Sequence, residues 1–372
     1  MIEGRATPEG TKRFAAQKIS SEMAVPEHFR ESLGLSLSSI GLGTYLGQPD
    51  EQDDQRYAEA VLEAVRLGCN VIDTAINYRF QRSERSVGAA LKKLTESGRA
   101  VRDEIVVSTK GGYVPFDGAP PKSAREFADY LQNTFLKPGL CTREDFAAGG
   151  QHCMAPSYLE HQLARSRENL GLSTIDIYFL HNPEQQLPEV GEQEFDRRLQ
   201  RAFEFLEGKV SEGKISFYGT ATWNGYRNNP GEDDYLSLGR ICRIAKEVAG
   251  DGHHFRIVQL PVNLAMTEAF AHQNQQADGE WISFLNAAQE FGVTVYASAS
   301  ILQGNVLGKI PGEMGKILAG QTDAQRAIQF TRSLPGLATA LVGMKQLPHV
   351  RENLALTRVP PLPVESLKAL FS

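Results

Sequence analysis

From Ile40 onward, short apolar runs alternate with longer amphipathic ones, the pattern of repeated strand-helix units that build a parallel sheet. The apolar runs predict eight strands, over 39–44, 70–74, 104–109, 175–180, 215–220, 256–261, 293–297 and 338–342. Helices fill the gaps. In 83–97, Val87, Leu91 and Leu94 recur at the spacing that puts them on one helical face, and 157–170, 195–212 and 235–248 read the same way. Gly68, Gly98, Gly171, Gly213 and Gly292 follow helical runs where a left-handed cap ends a helix. Repeated units with no break in composition favour an α/β architecture in which one barrel closes on itself, (β/α)8, over an open doubly wound sheet.

One stretch breaks the rhythm. Residues 111–156, rich in Gly, Pro and aromatics, are much longer than an ordinary strand-to-helix connection. They leave the third strand at its carboxyl end, where such folds keep their chemistry, so a lid or substrate loop is favoured over a decorative excursion. The expected division is an amino-terminal extension over 1–37, a barrel over 38–356 with the insertion 111–156, and a tail over 357–372. Within the extension, Ile2-Glu-Gly-Arg5 has the form of a protease-recognition tetrapeptide and is not expected to contribute to the fold.

Composition narrows the class. With 41% hydrophobic and 23% charged residues the chain has ample material for a core. A formal net charge of −6 argues against nucleic acid or an anionic membrane as main partner. Residues 1–18 lack the apolar core of a secretory signal, no run is long enough to cross a bilayer, and the sparse cysteines form no CxxC pattern, so a cytoplasmic location is expected. Cys141, His152, Cys153 and His161 invite a zinc reading, but their spacing matches no ligand pattern, and no metal is expected.

Polar groups gather at the ends of the apolar runs. Asp73 and Tyr78 follow the second run, Lys110 closes the third and His181 the fourth. Any one of these would ordinarily be a structural ion pair or a packed residue, but four at strand ends of one barrel converge on one mouth.

These residues carry a resemblance. Gly41-Leu-Gly-Thr-Tyr45, Asp73-Thr-Ala-Ile-Asn-Tyr78 followed by Ser83-Glu84, the strand ending Ser108-Thr-Lys110 and the strand ending Leu180-His181 resemble, in order and spacing, the strand-end motifs of the aldo-keto reductases. The likeness covers roughly residues 38–356 apart from the insertion. It implies a TIM barrel with a small hairpin closing its floor, and reduction of an aldehyde or ketone, or oxidation of the corresponding alcohol or sugar, by hydride transfer. In that reading Tyr78 is the proton donor, Lys110 stabilises the phenolate, Asp73 holds Lys110 charged and aimed, and His181 hydrogen-bonds the substrate oxygen or carries protons in the reverse direction.

Side chains supply no hydride, so a nicotinamide cofactor is implied, NADP(H) first and NAD(H) second. Gly41-Leu-Gly43 is too short for a dinucleotide fingerprint. The resemblance instead lays the nucleotide across the barrel mouth. Gln259 would hydrogen-bond its nicotinamide amide, and Gly43, Thr44, Tyr45, Asp73, Thr222 and Ser298 would also contact the cofactor. Ile301, Gln303 and Gly304 would wrap the pyrophosphate, and Gly343, Lys345, His349, Glu352 and Asn353 would hold the adenosine end, where a short helix begins. Two positions depart from the family pattern: Ala221-Thr222-Trp223 stands where many members have Ser-Asn-Phe, and Ser298 where a tyrosine often stacks. His349 stands where some members carry arginine, whose permanent charge and planar fork suit a 2′-phosphate, so a weakened preference for NADP(H) is expected. A small-molecule carbonyl or alcohol would be the partner, against Tyr45, Tyr78, Tyr113, Phe116, His181 and Trp223. Two readings compete: a cofactor-binding regulatory or redox-sensing subunit of the same fold, and a metal-dependent lyase, which would need more carboxylates or histidines at strand ends.

Overall fold

The computed structural model describes residues 1–370. Its first strands, β1 (Phe29–Ser32) and β2 (Leu35–Ser38), pair antiparallel as the expected hairpin. The barrel strands are β3 (Ile40–Gly43), β4 (Val71–Asp73) and β5 (Val106–Gly111). The insertion then contributes a small hairpin of β6 (Phe146–Ala147) and β7 (His152–Cys153). The barrel resumes with β8 (Ile175–His181), β9 (Ile215–Ala221) and β10 (Phe255–Pro261). A second outlying hairpin, β11 (Gln275–Ala277) with β12 (Glu280–Ile282), precedes the last barrel strands, β13 (Thr294–Ser298) and β14 (Leu337–Gly343). Parallel pairing runs β3-β4-β5-β8-β9-β10-β13-β14 and closes β14 back onto β3, so the single (β/α)8 barrel is the fold.

Burial explains the closure. β8 is buried at every position, the near-continuous apolar run of a strand covered on both faces. Inside the barrel, Val71, Val106, Ile177, Phe179, Ile257 and Tyr296 pack into one cluster with Leu35 and Leu37, which the hairpin pushes in as a floor. A larger core lies between barrel and helices, where Val87, Leu91 and Leu94 of the helix Arg82–Glu96 are all buried. The helix Pro156–Leu170 ends on Gly171 in the left-handed conformation, φ 66° and ψ 27°, as a glycine cap requires.

Four departures stand out. The strand expected over 104–109 begins at Val106, because Arg102–Glu104 forms a 3₁₀ turn whose Glu104 carboxylate binds the Val101 N–H and Arg13. The strand runs two residues further, because a buried lysine is tolerable when its ammonium is paired. A helix over Pro8–Ser20, not expected, starts at the Thr7 cap with proline in its first turn and buries Phe14. The tetrapeptide before it is nonetheless tied into the fold: Ile2 bridges to Leu172. The helix expected over 195–212 starts earlier, at Leu187, and is broken at Gly191, φ 72° and ψ 167°.

The insertion is a small folded unit rather than an open loop. The helix Ala124–Leu131 runs into a π-turn, Gln132–Leu136. Phe135, Val114, Cys141 and Cys153 then pack on Tyr158 of the helix behind.

Candidate active site

Asp73, the last residue of β4, lies beside Ser108 of β5 in register. Its carboxylate accepts hydrogen bonds from Lys110 Nζ at 2.6 Å, Ser108 Oγ at 2.7 Å and Gln259 Nε2 at 2.9 Å. Lys110 also donates to the Thr74 carbonyl at 2.8 Å and has no exposed surface. Burial pushes the Lys110 pKa down, and the Asp73 charge and hydrogen bond oppose that shift. Its ammonium lies 4.8 Å from the centroid of the Tyr78 ring.

Tyr78 is half-buried between Tyr45 and His181, with ring centroids 5.0 and 5.7 Å away. Burial and then the Asp73 charge hold its phenol well above its ordinary pKa, so the proton stays on. Immediately after it, Arg79, Phe80 and Gln81 all take positive φ, at 49°, 56° and 70°. That costly run is fixed by Arg79, which is buried and binds Asp54 Oδ1 at 2.7 Å and the Gln48 carbonyl at 2.9 Å. His181 ends β8, and burial, then Lys110 and His152, push its pKa well down. Its imidazole is neutral near pH 7.

These groups face a cavity of about 740 Å³ at the carboxyl ends of the strands. Asp73, Tyr78 and His181 line it; Lys110 stands behind Asp73. Every residue expected around a nucleotide also lines it: Gly43, Thr44, Tyr45, Thr222, Gln259, Ser298, Ile301, Gln303, Gly304, Gly343, Lys345, His349, Glu352 and Asn353. Of the residues expected on the substrate side, Tyr45, Tyr113 and Trp223 line it. Phe116 does not. It packs within the insertion against Phe127 and Tyr130, with centroids 5.9 and 5.1 Å away.

The wall tests whether a nicotinamide nucleotide would fit. Among the described residues, Asn77 Oδ1, His181 Nδ1, Thr222 Oγ1 and Asn353 Oδ1 are buried lining atoms without a hydrogen-bond partner, strung from the Tyr78 end of the cavity to the Asn353 end. Such groups are costly unless a ligand satisfies them, and size and polarity both fit an extended dinucleotide. Lys345 already has a partner, with Nζ 2.6 Å from Asp53 Oδ2.

Further residues line or brace the cavity without a motif in the sequence to mark them. Leu46 and Asn182 follow Tyr45 and His181 directly, and both line the cavity. Glu184, buried two residues beyond Asn182, accepts the N–H groups of Trp223 and Asn224 at 2.7 and 3.3 Å and so fixes the cavity wall at Trp223. Leu307 and Ala324 also line it, and no sequence signal marks them.

The barrel, with a polar cluster at its strand ends, defines the class. The Aldo/keto reductase family model matches residues 39–227, more than half of the chain, and the chain belongs to the aldo/keto reductase family. It is 33% identical over 192 residues to the NADH-specific methylglyoxal reductase of Escherichia coli (strain K12), covering 50% of this chain and 49% of that one. It is 32% identical over 200 residues to the D-threo-aldose 1-dehydrogenase of a Pseudomonas species, covering 53% and 54%. The chain thus spans about half the length of these relatives. An aldo/keto reductase from Klebsiella pneumoniae, solved with NADP and acetate, shares the fold with a TM-score of 0.60 and 21% identity over 92% of this chain and 94% of that one.

Proposed function

We propose that this protein is an NAD(P)(H)-dependent oxidoreductase that reduces an aldehyde or ketone, or oxidises the corresponding alcohol, with Tyr78 as proton donor. The observation that carries the reading is the buried Lys110–Asp73 pair set against the Tyr78 ring on the floor of a cavity of dinucleotide size. A nicotinamide nucleotide bound there would supply or take up the hydride. The nucleotide would rest on Gln259, Thr222 and Ser298 at one end and on Lys345, His349 and Asn353 at the other.

The chain's own residues handle the proton. A substrate oxygen seated between Tyr78 and His181 receives the Tyr78 proton as negative charge develops on it. Lys110 stabilises the phenolate left behind, and Asp73 keeps Lys110 cationic although it is buried. His181, neutral, donates one N–H toward the same oxygen and orients it. Tyr45, Tyr113 and Trp223 would contact the substrate where they line the cavity.

The nucleotide preference is proposed as weak: NADP(H) is accommodated, but Asp53 neutralises Lys345 and His349 lacks arginine's permanent charge. The partner is a small carbonyl or alcohol compound, and the net charge of −6 disfavours nucleic acid. No helix among the described residues is long and apolar enough to cross a membrane, and we place the protein in the cytoplasm.

A panel of aldehydes, ketones and alcohols, followed by nicotinamide absorbance with each nucleotide, tests the reading. Turnover of carbonyls that Tyr78→Phe abolishes supports it. Tight nucleotide binding with no turnover of any compound would instead favour a regulatory subunit.

A further inference from the structure

We infer that His152, supplied by the insertion, is a positioning residue that clamps the main chain at His181 and thereby sets the catalytic imidazole. The inference rests on the role given to His181 above. It begins with an interrupted ladder. β5 pairs with β8 as far as Gly111 opposite Leu180, and then leaves the barrel as the insertion. The next carbonyl of β8, that of His181, therefore has no strand neighbour on that side. His152 fills the gap: its Nε2 lies 2.7 Å from the His181 carbonyl oxygen. Residue 112 is a glycine, and a Cβ there would stand 2.6 Å from His152 Nε2, so the ring reaches the carbonyl only because that side chain is missing.

The tautomer follows from the partners. Arg198 donates to Gln186 Oε1 at 3.0 Å, so Gln186 turns its amide nitrogen to His152 Nδ1, at 2.8 Å. His152 Nδ1 is thus the acceptor, and Nε2 carries the proton and donates to His181. The ring has no exposed surface, and burial, with some help from Arg198, lowers its pKa to about 4. Near neutral pH it is one neutral species in one orientation. The chain ends on a carbonyl, which relays no proton, so the effect is one of geometry.

The clamp has a second jaw. Asn182, held in the left-handed conformation at φ 49°, donates its side-chain amide to Tyr113 OH at 3.0 Å. Tyr113 and His152 bridge each other, so both ends of the insertion grip the dipeptide His181-Asn182. The imidazole of His181 needs this, because its Nδ1 is buried with no partner of its own.

The test compares His152→Leu, which keeps bulk but removes the donor, with His152→Gln, whose amide can reach the same carbonyl. His152→Leu should lower kcat for carbonyl reduction about tenfold or more while nucleotide Kd stays within about twofold, and His152→Gln should recover most of the loss. The ¹⁵N resonances of the His181 imidazole should be single and sharp in wild type and His152→Gln, and shifted or broadened in His152→Leu. Should His152→Leu fail to fold, Gln186→Met, which frees His152 to change tautomer, should perturb the same resonances and lower kcat in the same direction. A folded His152→Leu with wild-type kcat and unchanged His181 resonances overturns the inference, as does a His152→Gln no better than His152→Leu. Absence of any turnover in wild type would count against the oxidoreductase reading alone, since the His181 resonances still decide the role of His152.

Discussion

The ammonium of Lys110 lies 2.6 Å from Oδ2 of Asp73, with the lysine side chain wholly buried and the aspartate nearly so. Removing one member of such a pair leaves the other buried and uncompensated, at a cost of roughly 3–5 kcal/mol. Lys110→Met should therefore lose stability as well as rate. Tyr78→Phe removes only a hydroxyl on a half-buried ring and should lower carbonyl reduction by ~10²–10⁴ with nucleotide affinity unchanged. In the double variant Asp73→Asn, Lys110→Met, thermal unfolding should recover most of the stability, while turnover stays lost. Recovery of both would show that Lys110 acts only through the fold.

Tyr113 and Phe116 separate two roles that the insertion combines. Tyr113 lines the cavity, with its ring centroid 5.0 Å from that of His181. Tyr113→Ala should change the ratio of kcat/KM for small against bulky aldehydes. Phe116 is packed away inside the insertion, so Phe116→Ala should lower the Tm and leave that ratio alone. The reverse pattern would mean the insertion moves between the form seen here and one that brings Phe116 to the substrate.

Much of this was legible because strand ends and periodicity are local signals. Asp73, Tyr78, Lys110 and His181 each close or follow an apolar run, and the closed barrel brings such ends to one mouth without further information. Glycine caps such as Gly171 are equally local. Long-range pairings carry no such mark. Asp53 meets Lys345 and Glu184 meets Trp223 only once the barrel closes. Phe116 packs away from the cavity, whereas an aromatic shortly after Lys110 looks the same in sequence whether it faces a cavity or a private core. The helix Pro8–Ser20 carries a weak periodic signal although Thr7 and Pro8 announce its start, because its apolar face is thin: Phe14 and Ala15 are its buried hydrophobic side chains.

Glu184 gives the chain a pH-dependent stability. Burial raises its carboxyl to about 7, against the opposing backbone N–H bonds from Trp223, Asn224 and Gly225. An acid whose folded pKa is raised binds its proton more tightly in the folded state, so stability is highest below the unfolded value. It should fall as pH rises from about 4.5 to about 7, by up to ~3 kcal/mol. Glu184→Gln keeps an acceptor for Trp223 N–H and removes the titration. The difference in unfolding free energy between wild type and Glu184→Gln should therefore slope across that window and level off above it. A flat difference would show that the carboxyl does not titrate there.

On the proposed nucleotide site, Asp53 should govern the choice between NADPH and NADH. Its carboxylate, 2% exposed, accepts Lys345 Nζ at 2.6 Å, the Gln48 N–H at 2.8 Å and Arg56 Nη1 at 3.0 Å. Burial alone would raise its pKa, but these bonds bring it down to about 2, so it is anionic at every working pH. A 2′-phosphate approaching Lys345 meets that carboxylate as well, and the gain from the ammonium is largely cancelled; a 2′-hydroxyl meets no such opposition. Asp53→Asn should leave Lys345 an unpaired cation and raise the affinity for NADPH relative to NADH by about tenfold, on the scale of one screened unit charge a few ångströms away. The shift should shrink with added salt. His349→Ala should move the ratio the other way, since it removes a hydrogen-bonding ring from the same end of the cavity. Dissociation constants for both reduced nucleotides, from quenching of protein fluorescence, give the ratio without relying on turnover. An Asp53→Asn ratio equal to wild type, in a variant whose unfolding shows it intact, would place the 2′-phosphate away from Lys345 and leave His349 as its remaining determinant.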